Sequence, residues 1–321
     1  MLAAFATTVN RDDPLSALAV AERPEPVAPD GWTTVEVRAA ALNHHDLWSL
    51  AGVGLTAEQC PMILGCDAAG VDAAGNEVIV HSVIADPAAG GGDETLDPKR
   101  TLLSEKHDGT LAEKVIVPRR NIIPKPASLG FAEAACLPTA YLTAYRMLTT
   151  RGRLPDSGAV LVQGTGGGVA TAAILIARAL GARVYATGRD AERRARAAEL
   201  GAIAVEPGAR LPERVDVVVD SVGAATIDHS LKCAKPGGRI VTCGTTSGHA
   251  ATVDLRRVFF LQLELLGSTM GTIDELNALV ALCERTGMRP LLDSTHRLSD
   301  ADTALARLRT GDVFGKLVIE P

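Results

Sequence analysis

The residues best suited to chemistry fall into two sets. The first is Gly164-Thr165-Gly166-Gly167-Gly168, set between a short apolar run, Ala159–Val162, and an alanine-rich segment, Val169–Leu180, that Gly181 ends. Glycines let a backbone turn tightly and approach a diphosphate with no Cβ in the way. A helix starting just after them adds free N–H groups and a partial positive charge. Gly164, Thr165, Gly166, Gly167, Gly168 and Val169 are therefore candidate cofactor-binding residues. A β-branched run, Arg183–Thr187, completes a strand–loop–helix–strand unit. Thr187-Gly188-Arg189 closes it, and Arg193 follows one helical turn later. NAD sites place an acid at this strand end, whereas NADP sites use small residues and Arg, whose guanidinium pairs with phosphate. NADPH is thus expected over NADH, with Thr187, Gly188, Arg189 and Arg193 around its ribose. The rival reading has Asp190 reach the ribose hydroxyls.

The second set is Asn43-His44-His45-Asp46, Gly65-Cys66-Asp67, and Thr139, which follows a helix-kinking Pro138. The kink releases backbone groups near Thr139.

The elements that must position these groups follow from pattern. Residues 1–119 read as short strands, clearest at Leu2–Thr8, Trp32–Ala39, Glu77–His81 and Glu113–Pro118, with a polar exposed loop over 84–106. Such spacing suggests a partly closed β-barrel. Ser128 is placed to cap a helix from Phe131. Asp190 is placed to cap a helix over Ala191–Leu200. Buried strands over Val215–Val219 and Arg239–Thr242 end at Ser221-Val222 and Gly244-Thr245, and ligands of doubly wound sheets sit at carboxyl ends of strands. Leu261–Gly267 reads as a further strand and Ile273–Arg285 as a helix.

The 321 residues, 47% hydrophobic and 22% charged, suit two domains with large cores. A net charge of -6 without a basic tract gives no footprint for nucleic acid. No apolar run is long enough to span a bilayer. The six scattered cysteines form no CxxC pair, and a cytoplasmic location is the expectation.

Eight ordered segments resemble the medium-chain dehydrogenase/reductase superfamily, and its quinone-oxidoreductase-like branch above all. They are 41–48, 64–70, 108–115, 137–145, 163–184, 237–248, 254–271 and 311–319. The resemblance implies a GroES-like catalytic domain, residues 1–119 and 262–321, interrupted by a Rossmann doubly wound parallel-sheet domain, residues 120–261. It implies a cofactor cleft between the domains and a homodimer. It also points to Phe314, Gly315 and Lys316 near the nicotinamide. Zinc-dependent members carry ligands where this chain has Asn43, Cys66–Asp67 and Thr139, and a four-cysteine lobe where residues 84–106 have no cysteine. The expectation is hydride transfer from NADPH to a quinone or α,β-unsaturated carbonyl without zinc. Asn43 would orient nicotinamide or substrate, Thr139 would sit near the ring, and Asp46 would hold the loop. The loop 51–59 lacks the Tyr that enoyl-thioester reductases often offer, which argues against a thioester substrate. The competing functions are a zinc alcohol dehydrogenase with atypical ligands, a non-catalytic NADPH-binding protein, and a methyltransferase.

Overall fold

The computed structural model describes residues 1–321. The chain divides into two compact units, one of Met1–Thr139, Met270–Glu284 and Arg289–Pro321, the other of Ala140–Thr269 with Arg285–Met288.

The first unit is organised around the ten-residue strand Trp32–Ala41. Its inward alternation, Val35 and Val37 with Ala40, packs on Leu50, Leu64, Val80, Leu111, Val117 and Leu317. On one side it pairs with Asp67–Asp72. On the other it pairs first with Lys114–Pro118 and then, at its carboxyl end, with Lys316–Glu320. A register shift between Val37 and Ala39 marks the changeover. Ala41 is thereby set beside Asp67 in one ladder and Val318 in the other, so Asn43, Asp67 and Lys316 meet where three strands end. A smaller sheet joins Leu2–Ala6 to Leu18–Glu22 and Met62–Ile63.

Several expectations are corrected. Residues 84–106 are not an exposed loop throughout. Val83–Ile84 pairs with Thr101–Leu102, and Leu103 and Ser104 are fully buried. Buried Glu94 accepts the Ile273 amide at 2.7 Å, and Asp97 accepts Asp86 and Lys99 amides, so the stretch is pinned by its acids. The helix Phe131–Ala135 is capped by Glu133 accepting the Gly130 amide at 2.9 Å, and not by Ser128. Pro138 lies within Leu137–Tyr141, which forms a π-helical turn. Because Phe131–Ala135 packs on Trp32–Ala41 and Asp67–Asp72, the first unit runs to Thr139 instead of ending near 119. Leu255–Phe260 is helical and only Glu264–Gly267 is extended.

The second unit holds six parallel strands: β1 (Ala159–Gln163), β2 (Arg183–Thr187), β3 (Ile203–Val205), β4 (Val215–Asp220), β5 (Ala234–Thr242) and β6 (Glu264–Gly267). Their order is 3-2-1-4-5-6, the doubly wound dinucleotide-binding order. Pairing of β6 with β5 keeps residues 264–267 in this unit, and the chain rejoins the first unit at Met270, not 262. Helix α1 (Gly168–Ala179) follows β1 and buries alanines and isoleucines against the sheet. Asp190 caps α2 (Ala191–Glu199), accepting the Arg193 amide at 2.8 Å. α3 (Ile227–Cys233) follows β4.

Candidate active site

The strand order reverses between β1 and β4, where open α/β sheets take their ligands. The glycine bend leaves β1 at this point. Gly164 has φ +113°, a conformation few side chains tolerate. Thr165 and Gly166 are buried, whereas Gly167 is exposed and an added Cβ there meets nothing within 4 Å. The first helical bond of α1 runs from Thr171 to Gly167 at 2.9 Å, so the amides of Gly168, Val169 and Ala170 precede it and face outward from the helix end. The residues present fit a diphosphate: an open glycine face beside free amides and a helix N-terminus.

Thr187 is buried, and its hydroxyl donates to Gln163 Oε1 at 2.8 Å. Gly188 is required by Thr165, whose Oγ1 would lie 2.7 Å from an added Cβ. Arg189 is exposed. Its backbone is held by Arg194, which donates to the carbonyls of Gly188 and Arg189 at 2.8 and 2.9 Å and pairs with Glu206 at 3.3 Å. Arg193 sits in the first turn of α2, half-buried. The carboxyl ends of β4 and β5 bring Ser221, Val222, Gly244 and Thr245 together. Ser247 donates to the Val222 carbonyl, and a Cβ on Gly244 would lie 3.0 Å from the Ser221 carbonyl oxygen. Phe314, Gly315 and Lys316 belong to the first unit. Phe314 and Lys316 are buried there, and the Phe314 amide donates to Asp293 at 2.8 Å.

The second set of chemical residues converges in the first unit. The Lys316 ammonium, 2% exposed, donates to the Leu42 carbonyl at 2.7 Å and to Asn43 Oδ1 at 2.7 Å. It lies 3.2 Å from Asp67 Oδ2, whose side chain is fully buried. Asn43 Nδ2 donates to the same Asp67 oxygen at 2.8 Å and to the Ala41 carbonyl at 3.2 Å. Every Lys316 proton and both Asn43 amide protons are thus engaged internally. Asp46 accepts the Asn43 and Gly65 amides at 2.8 and 3.1 Å, tying the two motif loops together. Burial pushes the Asp46 and Asp67 carboxyls up, and Lys316 pulls both partly back. Thr139 keeps partial exposure. Its hydroxyl lies 3.5 Å from Ser82 Oγ and acts on the Asp67 carboxylate, although Asp67 Oδ1 receives no well-formed hydrogen bond.

Beside this cluster lies one that sequence reasoning did not find. His45 Nδ1 is 3.3 Å from Cys66 Sγ and Nε2 is 3.3 Å from Glu105 Oε1. Burial alone would lower His45, yet Cys66 and Glu105 raise its pKa well above the ordinary imidazole value. Glu105 stands 60 residues from His45, beyond any local signal. A histidine raised on folding stabilises the native state below its unfolded pKa, and that stabilisation is lost as pH rises through the folded value. Glu105→Gln should therefore destabilise the protein most near pH 5.5, about a unit under the free imidazole value. The gap from wild type should narrow under alkaline conditions. Denaturant titrations across pH check this.

The zinc question can be tested on the donor set. Asn43 presents amide protons to Asp67, Asp67 already faces an ammonium, and Cys66 Sγ points to His45 and the Leu103 carbonyl. No three His, Cys, Asp or Glu side chains are grouped so that they could hold a metal ion. These residues do not fit a tetrahedral zinc centre.

Comparison with known proteins places this geometry in context. A family profile described as "Zinc-binding dehydrogenase" matches residues 168–285, and "Alcohol dehydrogenase GroES-like domain" matches 29–127. The chain is similar to a zinc-type alcohol dehydrogenase-like protein, YogA, of Leptosphaeria maculans, at 30% identity over 89% of each chain. Among solved structures it is similar to an NAD-dependent alcohol dehydrogenase, at 32% identity and a TM-score of 0.91 over 100% of both chains. It is similar as well to the 2-octenoyl-CoA carboxylase reductase CinF in complex with NADP and 2-octenoyl-CoA. That match has 25% identity and a TM-score of 0.91, over 99% of this chain and 87% of the other.

Proposed function

Because this chain belongs to the medium-chain dehydrogenase/reductase superfamily, whose members here are oxidoreductases, we propose that it uses NADPH to reduce a quinone or α,β-unsaturated carbonyl without catalytic zinc. The observation that carries the reading is the Lys316–Asp67–Asn43 cluster, in which an ammonium neutralises the carboxylate at a zinc-ligand position. NADPH supplies the hydride. Without a Lewis acid, the developing negative charge must delocalise into an enolate or hydroquinone and meet hydrogen-bond donors. Thr139 is the cluster's partly exposed polar group and is assigned that donor role, its hydroxyl turning from Asp67 to the substrate oxygen. Asn43 acts one step back, as a positioning residue held by Lys316, and Asp46 holds its loop. The octenoyl-CoA bound to the CinF relative is itself an α,β-unsaturated carbonyl compound, which supports this substrate class. NADPH is supported by Arg189, exposed and held by its backbone at the end of β2, and by the NADP of the same relative.

A second reading, zinc-dependent alcohol oxidation, is favoured by the names of the matching family and of YogA. One experiment separates them: an NADPH-oxidation screen of quinones, enones and aldehydes, with zinc measured by elemental analysis on the same sample. The expected result is turnover of quinones or enones at far less than one zinc per chain. Stoichiometric zinc with alcohol oxidation would sink the proposal. NADPH binding without turnover of any acceptor would indicate a non-catalytic protein. Thr139→Val should lower kcat roughly tenfold, the worth of one neutral hydrogen bond at the reacting oxygen.

A homodimer is part of the proposal. β6 is an edge strand; its Leu265 is 42% exposed, and Leu255, Phe259 and Phe260 of the preceding helix are 70%, 69% and 79% exposed. An open edge with an apolar flank fits a second copy across a twofold axis. Phe260→Asp should shift the sedimentation coefficient to that of a monomer. No helix is long and apolar enough to cross a membrane.

A further inference from the structure

A directed chain of hydrogen bonds runs beneath the glycine bend, and every link has one allowed polarity. The Gly164 amide donates to Thr187 Oγ1 at 3.2 Å. The single Thr187 proton goes to Gln163 Oε1 at 2.8 Å. Gln163 Nε2 donates to His229 Nδ1 at 3.1 Å and to Ser230 Oγ at 3.0 Å. The Ser230 proton goes to Asp220 Oδ2 at 2.8 Å, and Asp220 Oδ1 collects the Val222 and Gly223 amides at 2.9 and 3.0 Å. At the far side His229 Nε2 faces the Ala209 carbonyl at 2.9 Å and must donate there, which leaves a lone pair on Nδ1. Asp220 accepts from two amides and from the Thr226 and Ser230 hydroxyls at one end, and the His229 tautomer is set at the other. The Gln163 amide can then point only one way, because reversing it would set two acceptors against each other at His229 and leave Thr187 without one.

Gln163, Ser230 and Asp220 are each at most 1% exposed and Thr187 is 4% exposed, so water cannot substitute for a lost link. The chain joins the carboxyl ends of β1, β2 and β4 through α3. Its terminus is the one residue of the bend with φ +113°. It also takes the Gly164 amide out of the set that faces a ligand, leaving the outer amides of Gly168 to Ala170 for an anion.

We infer that Gln163 is a positioning residue for the nucleotide: it locks the Gly164 bend, and with it the outward amides, from beneath the sheet. This rests on the reading of the bend as the NADPH site. The inference concerns cofactor affinity and not the chemical step. The test uses Gln163→Met, which keeps length and removes the amide, and Thr187→Val, which keeps the β-branched shape and cuts both the link to Gly164 and the proton given to Gln163. NADPH affinity is measured by fluorescence titration, Gly164 amide exchange by mass spectrometry or NMR on the cofactor-free protein, and kcat at saturating NADPH. Both variants should weaken NADPH at least tenfold and speed Gly164 exchange at least tenfold. Gln163→Met should keep kcat within twofold, and Thr187→Ser should restore both binding and exchange. Unchanged Gly164 exchange in folded variants would overturn the inference, whatever NADPH does. So would faster exchange with unaltered NADPH affinity, or failure of Thr187→Ser to restore it. If wild type itself does not bind NADPH, the reading of the bend fails instead, while the exchange result still judges the brace.

Discussion

Replacing Lys316 with Met is expected to destabilise the first unit by about 3–5 kcal/mol, the usual penalty for removing one partner of a buried ion pair. The ammonium is the only cation within reach of Asp67, and it satisfies the Leu42 carbonyl and Asn43 Oδ1 at the same time. Its loss strands a fully buried carboxylate whose second oxygen already lacks a partner. The protein's two tryptophans, Trp32 and Trp48, both lie in this unit, so their fluorescence in urea reports its unfolding separately from the second unit. The double substitution Lys316→Met with Asp67→Asn should recover at least half of the loss, because a neutral amide does not require the ammonium. Additive losses would show that the pair is not coupled. The pH dependence has a defined sign. Burial raises Asp67 and Lys316 opposes that rise, so the Met variant pushes Asp67 higher still. An acid with a raised native pKa binds more protons folded than unfolded, and stability falls as pH rises through that window. The deficit of the variant should therefore shrink on acidification and be full at neutral pH.

Arg189→Ala is expected to raise the KM for NADPH by roughly 10- to 150-fold, which corresponds to losing about 1.5–3 kcal/mol of charge-assisted hydrogen bonding. NADH, which lacks the phosphate, should be affected less than twofold. Arg189 is exposed, while the neighbouring Arg194 is directed at the Gly188 and Arg189 carbonyls and Glu206. On the proposed NADPH reading the labour is divided: Arg189 meets the phosphate, and Arg194 shapes the strand end. Arg194→Ala should accordingly weaken NADPH by a smaller factor and NADH somewhat as well, since the strand end itself loosens. Steady-state kinetics with both nucleotides decide the matter. Equal changes for NADPH and NADH in Arg189→Ala would remove the phosphate assignment.

What the sequence by itself determined are the features whose cause is local. The bend after β1 was legible because glycine is the residue for a positive φ and for close approach, and a strand and a helix flank it within thirty residues. The cap at Asp190, the strands at Trp32 and Val215 and the parallel nucleotide unit follow from period and capping chemistry in the same way. Only the tertiary structure decided which groups are free. Lys316 looked like a cofactor contact and Asn43 like a hand held out to substrate. Strand register sets them 273 residues apart in sequence and 2.7 Å apart in space, where each satisfies the other. The same holds for His45 with Glu105, and for Gln163 with His229 and Ser230. A side chain's type is written in the chain, but its availability depends on partners brought by pairing of distant strands, and no local pattern encodes that pairing.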